Sequence, residues 1–432
     1  MLLAVSVFAA ACLLMIAGVL YLPKLRIGRL TLDSYWLPPL VGALLLLAAS
    51  VVPLPSVVAS FFSDSAVNPL KILVLFLSMT VLSVFLDEVG FFRMLAAVVL
   101  RRAHGGQRRL FLILYFTVAL LTVFTSNDVV ILSFTPFICY FAKHAGIDPM
   151  PYLAAEFVAA NTWSMMLIIG NPTNIYLATA AGVDFVSYLG VMLLPTLLSG
   201  AFGLLILYRL YHRRLRHRIA VRVERETVDD PLLLAVGLFH LIACTVLLAV
   251  GSYVALPMWL VALGSVVSLF LSTLVISLLR HRPPRLLGAA LARAPWALVP
   301  FVLSMFVLIL GLGETGVTER LAALLAPLPE IPAYGISSFL ASNLVNNIPM
   351  SVLFSEVLRE GGASLAGVYA TVIGSNIGAF LTPIGALAGI MFGTILRRHG
   401  QAFGYLEFLR LGVAVAVPSL LAALFGLFLV LG

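Results

Sequence analysis

Thr125-Ser126-Asn127-Asp128, continued by Val129 to Phe137 as VVILSFTPF, sets a polar tetrad with a carboxylate inside a run otherwise suited to lipid. Polar groups in hydrocarbon cost several kcal/mol each unless protein, water or a ligand satisfies them. An ionisable residue there marks a functional site. The device recurs half a chain length later, as Ser342-Asn343-Leu344-Val345-Asn346-Asn347-Ile348-Pro349. The two stretches read as the tips of paired membrane hairpins around one transport site.

The surrounding composition fits that reading. Of 432 residues, 62% are hydrophobic and 10% charged, with a mean hydropathy of +1.13, a balance that excludes a soluble domain. Apolar runs near span length exclude a transmembrane β-barrel, which shows only weak alternation. The expected fold is an all-α polytopic protein of the plasma (inner) membrane. The net charge of +8 falls between apolar spans, so it reflects loop bias and no nucleic-acid partner. Cys12, Cys139 and Cys244 are scattered without ligand spacing and read as small core residues.

Spans read at 2–22, 36–54 and 69–87, then a hairpin at 109–145, an interrupted span at 149–181 and a span at 187–208. The pattern repeats at 231–250, 255–279, 294–312, hairpin 333–360, interrupted span 363–396 and 409–431. This gives about ten transmembrane helices, two re-entrant hairpins and two broken helices. Five crossings per half invert the second half against the first, so residues 1–208 and 231–432 form inverted-topology repeats joined by a basic linker, 209–230. With hairpins counted as re-entrant and both termini outside, all of the 26 Lys and Arg except Lys71, Arg320 and Arg359 fall on the cytoplasmic side. The linker reads as a solvated cytoplasmic loop, with anionic lipid head groups as the sharper alternative. Inverted repeats with helices interrupted at matching places are the mark of secondary transporters.

The interruptions read Asn161-Thr162-Trp163-Ser164 with Gly170-Asn171-Pro172-Thr173-Asn174, and Gly374-Ser375-Asn376-Ile377-Gly378 with Thr382-Pro383-Ile384-Gly385. Proline removes an N–H and glycine allows an open backbone, freeing carbonyls and half-helix N-termini for a ligand. Candidate substrate- or ion-binding residues are Ser126, Asn127, Asp128, Asn161, Thr162, Asn171, Thr173, Ser342, Asn343, Asn346, Asn347, Ser375, Asn376 and Thr382. Asp128 is the sole acid at either tip, with Leu344 as its counterpart, and a group alternating between charged and neutral suits proton coupling. Glu156 is the second candidate proton carrier. Asp87, Glu88 and Glu314 close helices before glycine and read as structural.

The runs DEVGFF, RRLFLIL, TSNDVVILSFTP, NNIPMSVLF and GSNIGAFLTPIGALAGIMFG, spread from about Ile72 to the C-terminus, resemble the arsenite permease family. That family belongs to the ion-transporter group with the divalent-anion/sodium symporters and bacterial sodium/proton antiporters. The resemblance implies a scaffold and a mobile transport domain with two hairpins and two broken helices. It also implies proton-coupled export of arsenite or antimonite, and an uncharged triol suits neutral Asn, Ser and Thr. Because GNPTN is closer to the symporters' GxPxN pattern, a sodium-coupled carboxylate or oxyanion carrier stays open, as does a sodium/proton antiporter. The expected partners are a small oxyacid or anion, a proton or sodium ion and the bilayer. A homodimer stays open. No GxxxxGK[ST] loop is present, so an ATP-driven pump requires a separate ATPase subunit. No cofactor, metal site or enzymatic activity is expected, and His240, inside a span, reads as a packing residue.

Overall fold

Asn68 shows how the sequence punctuates this chain. Its side chain accepts from the N–H groups of Leu70 and Lys71, and Pro69 occupies the first helical position, so a long apolar helix starts there. The computed structural model describes residues 1–22, 24–27, 30–62, 68–103, 106–216, 228, 230–251, 253–254, 256–401 and 404–432.

The first half runs α1 (Leu2–Tyr21), an antiparallel ribbon of β1 (Lys24–Ile27) and β2 (Leu30–Asp33), α2 (Leu37–Ala48), α3 (Leu54–Phe62), α4 (Pro69–Glu88) and α5 (Phe91–Arg102). The first hairpin follows as α6 (Gln107–Phe124) and α7 (Asn127–Ala145). The first broken helix is α8 (Met150–Trp163), two 3-10 turns and α9 (Pro172–Ala180), and α10 (Phe185–Tyr211) closes the half. The second half runs α11 (Pro231–Gly251), α12 (Met258–Leu279), α13 (Arg285–Arg293), α14 (Leu298–Glu314) and α15 (Val317–Leu325). Its hairpin is α16 (Glu330–Val345) with α17 (Asn347–Glu360), its broken helix α18 (Leu365–Gly378) with α19 (Leu387–Arg398), and its last span α20 (Tyr405–Leu431).

The packing partners exchange between halves. Helix α2 lies on α14 as α12 lies on α4, α9 packs on α17 as α19 packs on α7, and α10 pairs with α20. A two-fold relation of inverted repeats produces this pattern, with the α10–α20 pair mapping onto itself. Gly90 and Gly316, at φ +90 and +70, make the matching turns from α4 into α5 and from α14 into α15.

Among the described residues, seven helical stretches are long and apolar enough to cross a bilayer; Leu2–Gly18, Leu37–Ala48 and Leu365–Gly378 are shorter apolar helices. Helices α11 and α12 turn Phe239, Ile242, Leu271 and Leu278 outward, while Asn, Ser and Thr of the hairpins and broken helices lie inside. This inverts the soluble pattern, as lipid on the outside demands. Within the interior, α16 and α18 approach through small residues. A Cβ on Gly374 would meet Ser338 Oγ at 2.0 Å and Gly335 O at 2.3 Å. Close backbone packing of this kind is how membrane helices associate without a hydrophobic driving force.

The spans and hairpins lie where the sequence places them. Helices α3, α5, α13 and α15 and the β ribbon are additional. Each is too short to span, and its apolar face is hidden between longer apolar runs. Helix α10 extends three residues into the linker, as far as Tyr211, and is followed by a 3-10 turn, Arg214–Arg216. Linker residues 217–227 and 229 lie outside the described residues. His240 bonds Val236 O and Ser268 Oγ, and all three cysteines are buried and unpaired.

Candidate transport site

Asn171 and Pro172 restart the first broken helix. The Asn171 carboxamide oxygen accepts from Thr173 N and Thr173 Oγ1 at 3.2 and 3.1 Å, an N-cap, and proline fills the first helical position. Asn346 does the same for the second hairpin. It holds φ +76, caps α17 by accepting from Ile348 N, and donates to Ile384 O at 3.0 Å. A non-glycine residue there costs of order 1–3 kcal/mol and persists only when its surroundings fix it. The Asn347 N–H adds a bond to Gly385 O at 3.0 Å.

Ser126 holds the same position before α7 but makes no cap, and its buried hydroxyl has no partner among the described residues. The same is true of Asn127 Oδ1, Thr162 Oγ1, Asn347 Oδ1 and Ser375 Oγ. Both hairpins and both broken helices therefore carry buried polar atoms that the protein leaves uncommitted. Such atoms also occur outside these elements, on Ser34, Thr80, Ser199, Thr273 and Ser419; those at the tips and breaks are the candidates for meeting a ligand.

An amide network joins these elements. Asn127 Nδ2 donates to Asn161 Oδ1 at 3.2 Å, and Ser164 Oγ lies 2.9 Å from Asn161 O and 3.0 Å from Asn376 Oδ1. Asn171 Nδ2 donates to Asn376 Oδ1 at 3.0 Å, and Asn376 Nδ2 donates to Asn174 Oδ1 at 2.6 Å and Val372 O at 2.8 Å. Asn161 and Asn376 are counterparts, each donating to the carbonyl one turn earlier. On the second hairpin, Asn343 donates to Gly378 O at 3.1 Å and accepts from Thr382 Oγ1 at 2.6 Å. Ser342 Oγ bonds Phe339 O within its own helix.

Each candidate residue thus lies on a hairpin or a broken helix, and the first tip meets the second break through Asn161, Ser164 and Asn376. Ser164 and Asn174 belong to this network and were missing from the candidate set, although both stand in the quoted NTWS and GNPTN motifs. The repeat register also differs from the sequence match. Asn127 and Asn347 begin α7 and α17, so they are counterparts, and Ser342-Asn343 belongs to the last turn of α16. Asp128 accordingly answers to Ile348, and Leu344 is an exposed residue of α16.

Asp128 is half-buried in the first turn of α7, where the helix dipole favours a negative charge, and it lies within electrostatic range of Tyr35 before α2. Glu156 is fully buried in α8, with Thr135 Oγ1 at 2.9 and 3.1 Å from its two oxygens. Among the described residues no Lys, Arg or His forms an ion pair with either acid. The network contains only amides, hydroxyls and backbone.

The citrate transporter family matches residues 34–364. The chain is 30% identical over 370 residues to the arsenical pump membrane protein of Escherichia coli K12, covering 81% of this chain and 84% of that one. It is 29% identical over 370 residues to the arsenical pump membrane protein of Yersinia enterocolitica, with the same coverage. A 46 kDa membrane protein of Mycobacterium leprae is 27% identical over 412 residues, 88% of this chain and 91% of that one. The crystal structure of the Alcanivorax borkumensis YdaH transporter superposes with a TM-score of 0.62 at 16% identity, covering 99% of this chain and 98% of that one, a likeness of fold. The chain belongs to the citrate transporter family of the ion-transporter group, together with the arsenical pump membrane proteins, and is a multi-pass secondary membrane transporter.

Proposed function

We propose that this protein exports arsenite or antimonite in exchange for protons, by moving the hairpins and broken helices as one body past α4 and α14. The observation that carries this reading is the neutral network centred on Asn376, together with the uncommitted oxygens of Ser126, Asn127, Thr162, Asn347 and Ser375 on the same hairpins and broken helices. Arsenite at neutral pH is largely an uncharged triol, whose hydroxyls donate to such oxygens and accept from amides. A polycarboxylate would bring several charges into a site where, among the described residues, helix N-termini and no cationic side chains face it, and these offset its desolvation only in part. Asp128, at the tip of the first hairpin, takes up a proton on one face and releases it on the other. Similarity to the arsenical pump membrane proteins supports the substrate class.

A second reading draws on the same oxygens as hard ligands for sodium, with a carboxylate or oxyanion as co-substrate. Uptake into everted vesicles under separately imposed proton and sodium gradients separates the two. Arsenite accumulation with acid inside, unchanged by sodium, is the expected result. Citrate or a dicarboxylate accumulating on sodium alone would replace the proton reading by the second.

A further inference from the structure

Arg293, the last residue of α13, pairs with both acids that end α4. Its Nη2 lies 2.7 Å from Asp87 Oδ2, and its Nη1 contacts Glu88. The other oxygen of Asp87 accepts from Ser133 Oγ of α7 at 2.8 Å. Among the described residues this is the one side-chain hydrogen bond that joins the framework helices (α1–α4 and α11–α14) to the hairpins and broken helices. The cleft between the two bodies is otherwise mainly apolar, lined by Ile72, Phe76, Leu298, Val302, Pro172 and Ile348.

We infer that Ser133, Asp87 and Arg293 form a latch that holds the first hairpin against the framework in this conformation and opens when the transport body moves. The inference rests on the alternating motion proposed above. Two features make it a latch rather than a weld. Ser133 Oγ also lies 2.8 Å from Val129 O in its own helix, so its proton has a partner in either state. Asp87 stays paired with Arg293 when Ser133 leaves. Opening therefore strands no buried polar group, which is the large cost in breaking such a bond.

The latch is also one-sided. Phe91 and Val317 begin α5 and α15, which places Gly313 opposite Asp87. Asn127 and Asn347 begin α7 and α17, which places Leu353 opposite Ser133. Neither counterpart can make the bond, and Glu314 forms no ion pair among the described residues. The two end states of the motion thus differ by one charge-assisted contact, and this conformation is the favoured one.

The test is a distance measurement that does not depend on substrate identity. Spin labels go on Tyr140→Cys in α7 and Leu271→Cys in α12, both exposed, in full-length protein with Cys12, Cys139 and Cys244 replaced by alanine. Helix α12 packs on α4 and reports the framework. The expected result is one dominant distance in the parent. Ser133→Ala should shift the ratio of the two populations by about tenfold towards a second distance, in line with a hydrogen bond to a charged group. Ser133→Thr should restore the parent distribution. Identical distributions in parent and Ser133→Ala would overturn the latch. If the populations shift as expected but vesicles carry no arsenite, the latch stands and the substrate reading falls.

Discussion

At the residue scale the structure turns on Asn376. Its carboxamide oxygen accepts from Ser164 and Asn171, and its nitrogen donates to Asn174 and Val372, which uses its whole hydrogen-bonding capacity. Asn376→Leu keeps the branched shape but strands Asn171 Nδ2 and Asn174 Oδ1, each at about 1–3 kcal/mol. Transport should fall at least about tenfold, with a lower melting temperature in detergent. Wild-type transport by Asn376→Leu would remove Asn376 from the site. Such a residue could be picked out in the sequence because an asparagine between glycines in an apolar run has few structural reasons to be there. Its partners could not. Ser164 and Asn174 stand in the same motifs as chosen residues, and only the fold decides which amide meets which carbonyl.

At the scale of elements, the broken helices are rigid supports for a backbone that is open only at the break. The α16–α18 contact depends on Gly374, where a Cβ would collide with Ser338 Oγ and with the Gly335 backbone, which cannot yield. Gly374→Ala should cost about 1–3 kcal/mol through overpacking, read as a lower melting temperature in detergent. Gly393→Ala, whose Cβ would meet nothing closer than Arg397 Nη1 at 3.8 Å, is the control and should not destabilise. Equal melting temperatures for the two variants would contradict the close-packing argument. Long elements were legible because twenty apolar residues leave one reading. Helices α3 and α13, nine residues each, were not, since their amphipathic pattern runs into the spans on either side. The hairpin register departs from the letter match for a related reason. Ser126-Asn127 and Ser342-Asn343 match as letters, but the chain turns at Ser126 and at Asn346, and helix starts, not letter matches, set which residues are counterparts.

For the whole molecule, two inverted halves place polar tips and interrupted helices at one interface, surrounded by a lipid-facing framework. The architecture was visible from the repeat of span, hairpin and interruption, and from the distribution of arginines between spans. The coupling ion is not written in architecture, because a neutral site with uncommitted oxygens accepts a triol or a sodium ion. In the proposed cycle it turns on Asp128, the one acid at either tip, since a protonated carboxyl would cross with the moving body where a bare charge is penalised. Asp128→Asn keeps the shape and fixes the neutral state. The most direct measurement is arsenite accumulation by everted vesicles carrying Asp128→Asn under an imposed proton gradient, beside arsenite exchange with no gradient. The account predicts that exchange persists and gradient-driven accumulation is lost. Full accumulation driven by the proton gradient in Asp128→Asn would contradict it and leave Glu156 as the next acid to test.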